Sequence, residues 1–229
     1  MEKITITTQQ QETTRGWIYF AFQMTALQYL LSAVNYYLGS KFSETTLNII
    51  YFTGNFLFNV IIFRGFLKKN LCKFLKEPGA CLGSAALGLV IYYFVSMTVS
   101  CLCLWIYPEF SNINDNTILK MIRERPVLMT VSVVLLVPTV EELVFRGLIF
   151  RPLYNQHPWL GYCVSAGCFS LLHILGYVTQ HDPISLLLCF VQYIPAGLVL
   201  GWSYARSNTI WTPILIHTAV NLISILVMR

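Results

Sequence analysis

The sequence predicts an all-α fold, a polytopic transmembrane bundle of about seven helical spans. Three observations support this prediction. Hydrophobic residues make up 56% of the 229 residues and charged residues only 11%, whereas roughly 25% of a soluble domain is charged. Long apolar runs alternate with short polar breaks, and each run approaches the length of about 20 residues that a span requires. Helices are expected because lipid offers backbone groups no other hydrogen-bonding partner.

The apolar runs set the limits of the predicted spans. In chain order these are 17–38, 46–64, 79–107, 126–150, 158–178, 184–205 and 209–228. We divide the chain at residue 125. Residues 1–125 hold N-terminal transmembrane helices and an amphipathic connection, and residues 126–229 hold the last four spans.

The basic residues predict how the chain is oriented. Lys and Arg are densest between the second and third spans, at Arg64, Lys68, Lys69, Lys73 and Lys76. Such loops are typically cytoplasmic, so alternation places the N-terminus in the cytoplasm as well. The segment 117–125 is basic but falls on the outer side, and we interpret it as a helix lying on the membrane surface. The net charge of +5 is spread over the loops, so no nucleic-acid partner is expected.

Few ionisable or strongly polar residues lie inside the last four spans. They are Glu141, Glu142 and Arg146 in the fourth span, His173 in the fifth, and His217 and Asn221 in the seventh. Placing a charge inside an apolar span costs roughly several kcal/mol of insertion free energy, so each of these residues needs a partner or a function. The spacing of four places Glu142 beside Arg146 and His217 beside Asn221, whereas Glu141 faces elsewhere.

These side chains have the chemistry needed for hydrolysis. Counting about 1.5 Å per residue from the cytoplasmic ends, we expect Glu141, His173, His217 and Asn221 to share one layer in the inner half of the bilayer. A carboxylate near imidazoles can take a proton from water, and an imidazole with a carboxamide can stabilise an oxyanion. The pattern therefore favours amide hydrolysis by activated water, without a GxSxG nucleophile.

Three motifs in this region resemble a known family. Glu141 to Arg146 has the form EExxxR, Phe169 to His173 the form FxxxH, and His217 to Asn221 the form HxxxN. In this order, on successive apolar helices, they resemble the CPBP intramembrane proteases, the CAAX-protease and bacteriocin-processing family also called Abi. The resemblance covers about residues 126–228, and it implies that the four C-terminal spans, residues 126–229, form the catalytic core.

The resemblance implies a glutamate-dependent endopeptidase whose site opens to the cytoplasm. It implies that Glu141 is the general base, that His173 orients the water, and that His217 and Asn221 stabilise the oxyanion. Glu142 and Arg146 would be a supporting intrahelical pair, and Phe169 would pack beside the site. The implied partners are the lipid bilayer and a peptide or membrane-protein substrate.

The family's substrates and cofactors leave further choices open. Eukaryotic members cleave prenylated CAAX proteins, whereas bacterial members are linked to bacteriocin maturation, self-immunity and pheromone processing. The chain stops soon after the HxxxN helix, which favours a bacterial member. We expect no cofactor: His173, His217 and Glu141 offer zinc-binding atoms, but no HExxH motif is present.

Two other function classes remain open. The same residues would hold together a non-catalytic immunity or scaffold protein, in which Glu141→Gln should be tolerated. Buried Glu and His also form proton relays in small carriers, although the sequence shows no internal repeat typical of carriers.

Overall fold

The computed structural model describes residues 2–228, with side chains from residue 10 onward. This part of the chain is almost entirely helical and contains no strand, which confirms the all-α class. The helices are α1 (Glu2–Phe22, a π-helical turn Gln23–Leu27, and Gln28–Tyr37), α2 (Glu44–Ile62), α3 (Arg64–Lys76), α4 (Pro78–Ile106), α5 (Ile113–Glu124), α6 (Pro126–Gln156), α7 (Pro158–Leu175), α8 (Pro183–Ser207) and α9 (Trp211–Met228).

Six helices in the described part of the chain are long and apolar enough to cross a membrane. They are α2, α4, α6, α7, α8 and α9. They correspond to six of the predicted spans, and the polytopic bundle is confirmed. The predicted span 17–38 is helical within α1 but is not among these six. The division of the chain at residue 125 stays a prediction.

Helix α6 lies at the centre of the bundle and packs against α7, α8 and α9. Its buried side chains include Leu143, Phe145 and Phe150. Close contact between α7 and α8 depends on Gly197, because a Cβ there would lie 2.6 Å from the Cα of Ala166. Small residues let transmembrane helices approach in this way.

The helix ends define two faces of the bundle. The basic face comprises the connections at 63–77, 157 and 208–210, and the opposite face comprises those at 38–43, 107–125 and 176–182. On the basic face, the Glu12 carboxylate accepts from the backbone N–H of Gly65, and Lys73 donates to the Asn208 carbonyl. The segment around residue 12 therefore lies on the basic face.

Helix α5 lies on the opposite face and corresponds to the surface-lying helix predicted over 117–125. It begins earlier than predicted, because the Asn112 side chain caps it by accepting from the Asp115 backbone N–H. It packs onto the bundle rather than facing lipid alone, and Ile122 is buried in a cluster with Met129. Its last residue, Glu124, accepts hydrogen bonds from Ser43 and Thr45 at the start of α2.

Candidate active site

Glu141 occupies the middle of α6, in a short α-helical stretch between two π-helical segments. Those segments are Ser132–Leu136 and Leu143–Phe150. Its Oε2 atom lies 3.7 Å from Nε2 of His217 and 4.0 Å from Nε2 of His173, and it makes no hydrogen bond within the described chain. π-Helical turns are frequent at functional sites. Here they bring one carboxylate between two imidazoles from different helices.

His173, near the end of α7, has one ring nitrogen engaged with the backbone. Its Nδ1 lies 2.8 Å from the Phe169 carbonyl oxygen. A carbonyl can only accept, so Nδ1 carries the hydrogen, and Nε2 of the neutral ring has a lone pair directed toward Glu141. Two acceptors at 4.0 Å cannot bond to each other, but a water molecule between them can donate to both.

Glu142 contacts both Arg146 and His217. Its Oε1 atom lies 3.2 Å from Nη1 of Arg146, and its Oε2 atom lies 3.1 Å from Nε. The predicted intrahelical pair is therefore present and bidentate. Both side chains are fully buried, and the guanidinium also donates to the Gly197 carbonyl. In addition, Oε1 of Glu142 lies 2.9 Å from Nδ1 of His217. Glu142 therefore orients the histidine, a contact that helical spacing alone did not predict.

Asn221 reaches the same cavity from α9, and Pro138 explains its position. Asn221 Nδ2 donates to the Val133 carbonyl at 2.9 Å. That carbonyl lacks a backbone donor, because the Val137 N–H bonds to the Ser132 carbonyl instead and Pro138 has no N–H. A buried carbonyl needs a partner, so the side chain of Asn221 is fixed against α6.

Phe169 packs beside the site as expected. Its ring centroid lies 4.5 Å from that of His173 and 5.8 Å from that of His217, and the Arg146 guanidinium lies 5.0 Å from it. Phe169 is almost completely buried. It therefore separates the Arg146 charge from the two imidazoles and limits how far their rings can turn.

The predicted site residues meet in one cavity of about 250 Å³. Glu141, Phe169, His173, His217 and Asn221 line it, whereas Glu142 and Arg146 lie behind the wall.

The position of this cavity corrects the predicted depth. On the side toward the basic face its lining includes the buried side chains of Leu200 and Ile216. At the other end it reaches α5 and Met228, which is 40% exposed on the opposite face. The residue count placed Glu141 too close to the basic face, because α6 extends to Gln156 instead of ending at residue 150. The side of the membrane on which the cavity opens stays a prediction.

Sequence reasoning missed a polar group contributed by α5 and α8. Tyr193 stacks on His173 with ring centroids 4.1 Å apart, and its hydroxyl donates to Asp115 at 2.9 Å. Burial raises the pKa of the Asp115 carboxyl, and the hydrogen bond from Tyr193 offsets part of this rise. Asn114 also donates to the Tyr193 hydroxyl. The polar run around Asn114 between two apolar spans was the available signal.

In the part of the chain that the structure describes, no three His, Cys, Asp or Glu side chains are grouped so that they could hold one metal ion.

The part of the chain that forms the site is similar to a known protein family. Residues 123–223 match the family model described as "Type II CAAX prenyl endopeptidase Rce1-like". The family resemblance is confirmed over this region. The Rce1-like region contains all seven residues of the three motifs, and it excludes α1 to α4.

Two bacterial relatives are similar to parts of the chain. The "Putative membrane peptidase YdiL" of Bacillus subtilis (strain 168) is 31% identical over 109 residues, which is 47% of this chain and 40% of that protein. The "UPF0177 protein YbdI" of Lactococcus lactis subsp. lactis (strain IL1403) is 27% identical over 92 residues, 40% of this chain and 44% of that protein. The chain thus spans less than half the length of these curated relatives. No solved structure gives a significant match.

Proposed function

We propose that the protein is an intramembrane endopeptidase that hydrolyses a peptide bond with water activated by Glu141. One observation carries the proposal: Oε2 of Glu141 faces the Nε2 atoms of His217 and His173 at 3.7 and 4.0 Å, within a cavity. The Rce1-like match over residues 123–223 supports a membrane endopeptidase independently of that geometry.

In the proposed reaction, a water molecule donates one hydrogen to Glu141 and the other to Nε2 of His173. Glu141 takes the first proton as the water oxygen bonds to the carbonyl carbon of the substrate. The carbonyl oxygen becomes an oxyanion. When this intermediate collapses, the C–N bond breaks and Glu141 returns the proton to the leaving amine nitrogen. The reaction uses no covalent intermediate and no metal ion.

His217 and Asn221 stabilise the oxyanion. Nδ1 of His217 donates to Glu142, so donation from Nε2 to an oxyanion requires the doubly protonated ring. Asn221 donates one amide hydrogen to the Val133 carbonyl, so the second amide hydrogen can be donated to the oxyanion. Donors fixed before the reaction are the effective ones, because they need no rearrangement as charge develops.

The orientation of the cavity bears on the substrate class. The basic face carries Arg64, Lys68, Lys69, Lys73 and Lys76 and is cytoplasmic by the positive-inside rule. The segment around residue 12 is then cytoplasmic, and we propose that the cavity, which reaches α5 and Met228 on the opposite face, opens on the extracytoplasmic side. This arrangement favours a small secreted or membrane-associated peptide, such as a bacteriocin or pheromone precursor, over a cytoplasmic CAAX protein.

Comparative peptidomics tests the proposal. Membranes and medium are compared from cells that make wild-type protein, Glu141→Gln, or Glu109→Gln, at matched abundance. Glu109 is exposed and lies away from the cavity, so its variant controls for the loss of one carboxylate. We expect peptides with new termini from wild type and Glu109→Gln only, and purified wild-type protein should reproduce the cleavage. Full processing by a folded Glu141→Gln variant would contradict the mechanism and favour the scaffold alternative.

A further inference from the structure

A second cavity adjoins the candidate active site on the side of the N-terminal helices. It measures about 430 Å³, and Glu141 and His173 line both it and the first cavity. The two cavities therefore meet at the candidate catalytic residues. The volume lies in the range of roughly 300–1,000 Å³ that is usual for small-ligand sites.

The lining of this second cavity is rich in side-chain amides. Its amide residues are Gln23 and Gln28 from α1, Asn48 and Asn55 from α2, and Asn114 from α5. Among the side chains that the structure describes, no Asp, Glu, Lys, Arg or His other than Glu141 and His173 lines it. We call it the amide chamber. Its chemistry suits an uncharged ligand that both donates and accepts hydrogen bonds, because each carboxamide does both.

Gln23 shows that the chamber has unused hydrogen-bonding capacity. The residue is only 7% exposed, yet its Oε1 makes no hydrogen bond within the described chain. It also begins the π-helical turn Gln23–Leu27, and such turns are enriched at functional sites. A buried acceptor without a partner is costly to folding, so a ligand that donates to it is favoured.

The rim of the chamber lies between α1 and α7. Tyr29 and Leu175, which line it on opposite sides, are 77% and 51% exposed. The chamber therefore has an exposed rim, next to the first cavity. An extended peptide crossing the boundary between the two cavities would pass Glu141.

We propose that the amide chamber binds the main chain of the substrate peptide on one side of the scissile bond, with a peptide N–H donating to Gln23 Oε1. An extended peptide in a low-dielectric region needs partners for its own N–H and C=O groups, and the chamber supplies both kinds. This inference rests on the proposed endopeptidase function. All five amide residues of the chamber lie outside the Rce1-like region of residues 123–223, so its hydrogen-bonding side chains come from a part of the chain that the family match does not cover.

Photocrosslinking can identify the occupant even when its sequence is unknown. In a Glu141→Gln background, p-benzoylphenylalanine replaces Tyr29 at the chamber rim or, as a control, Tyr36. Tyr36 is an exposed tyrosine two turns further along α1 that does not line the chamber. After irradiation in native membranes, mass spectrometry identifies the adducts. We expect position 29, and not position 36, to capture a peptide that spans the bond cleaved by wild-type protein.

Kinetics with that cleaved peptide, on purified protein, provides the second readout. Gln23→Leu should raise KM about fivefold, the effect of one lost hydrogen bond, with kcat changed less than twofold. Gln10→Leu, an exposed position in the same helix, should leave both constants unchanged. Gln23→Leu should also raise the thermal midpoint, because it removes the unpartnered acceptor.

The outcomes separate the two proposals. In one outcome, cleavage depends on Glu141 while position 29 captures only lipid; in another, cleavage depends on Glu141 while positions 29 and 36 capture the peptide equally. Either result would overturn the proposal of a substrate subsite in the chamber and leave the endopeptidase proposal intact. An unchanged KM in a folded Gln23→Leu variant would also overturn it. If no cleavage depends on Glu141, the endopeptidase proposal fails, and the chamber's assignment as a substrate subsite fails with it.

Discussion

Nδ1 of His217 lies 2.9 Å from Oε1 of Glu142, although the two residues are 75 positions apart. This contact gives the second glutamate of the EExxxR motif two roles. It neutralises the buried charge of Arg146 within α6, and it orients an imidazole of α9 toward Glu141. Because the two roles use different partners, substitutions can separate them.

The first prediction concerns Glu142 and Arg146 together. Glu142→Gln alone should destabilise the protein by about 3–5 kcal/mol, because Arg146 then remains as an unpaired buried charge. The double variant Glu142→Leu/Arg146→Met should recover most of this stability, since an apolar pair of similar volume is usually tolerated in place of a buried ion pair. Its activity should nevertheless remain roughly 10²-fold reduced, because His217 has lost its acceptor.

Thermal unfolding in detergent and cleavage of the Glu141-dependent peptide measure the two effects. Recovery of activity along with stability would show that Glu142 serves only Arg146.

The second prediction concerns Asn221. Asn221→Ala should lower kcat by about 10²–10³-fold, the usual cost of removing one oxyanion donor, with a smaller change in KM. Ser224→Ala is the matched control, because Ser224 lines the same cavity less than one turn further along α9. A kcat within threefold of wild type for Asn221→Ala, in protein shown to be folded, would exclude Asn221 from the oxyanion site.

The third prediction concerns the attachment of α5 over the site. The hydroxyls of Ser43 and Thr45 donate to the Glu124 carboxylate and hold the pKa of Glu124 below its usual range. A carboxyl whose folded-state pKa is lowered stabilises the fold above its unfolded pKa of about 4.3 and loses that contribution as pH falls further. Amide exchange in α5, corrected for intrinsic rates, should therefore speed up below about pH 4.

Glu124→Gln should show the faster exchange already at pH 7 and should lose the acid-dependent step. If wild type and Glu124→Gln exchange identically between pH 3 and 7, this carboxylate does not anchor α5.

The fourth prediction concerns metal ions. Proton transfer by Glu141 requires none, so dialysis of the purified protein against a strong chelator should leave kcat/KM within twofold of the untreated value. Elemental analysis of the same sample gives the metal content per chain. Activity that disappears on chelation and returns with zinc would contradict the metal-independent mechanism.

Sequence reasoning identified the motif residues because charge inside an apolar helix is costly and therefore conspicuous. The spacing of four in EExxxR predicted the Glu142 to Arg146 pair, which the structure contains. Spacing within one helix cannot reveal contacts between helices, so the bond from His217 to Glu142 was not predicted. The amide chamber was missed for a different reason. Gln23 and Asn55 are uncharged, and a search for ionisable groups in the spans passes over them.

The depth of the site depended on helix ends that hydropathy locates poorly. Helix α6 was predicted to end at residue 150 but continues to Gln156 beyond a π-helical segment. Each residue adds about 1.5 Å to a helix. The extension therefore moves Glu141 about 9 Å further from the basic face, enough to place it in the middle of the span.

The fifth prediction concerns Tyr193, whose ring stacks on His173 and whose hydroxyl bonds to Asp115. Tyr193→Phe keeps the stacking and removes the bond to α5, so kcat should fall only about two- to fivefold, as for one hydrogen bond outside the reacting atoms. Tyr193→Leu removes the flat surface on which the imidazole rests. Nε2 of His173 should then lose its fixed direction toward Glu141. As a result kcat should fall by roughly a further tenfold or more, because catalytic geometry tolerates little misplacement.

The ratio of kcat between the two variants, measured with one peptide and at matched thermal stability, isolates the contribution of stacking. Equal kcat values for Tyr193→Phe and Tyr193→Leu would mean that the Phe169 carbonyl alone fixes the orientation of His173.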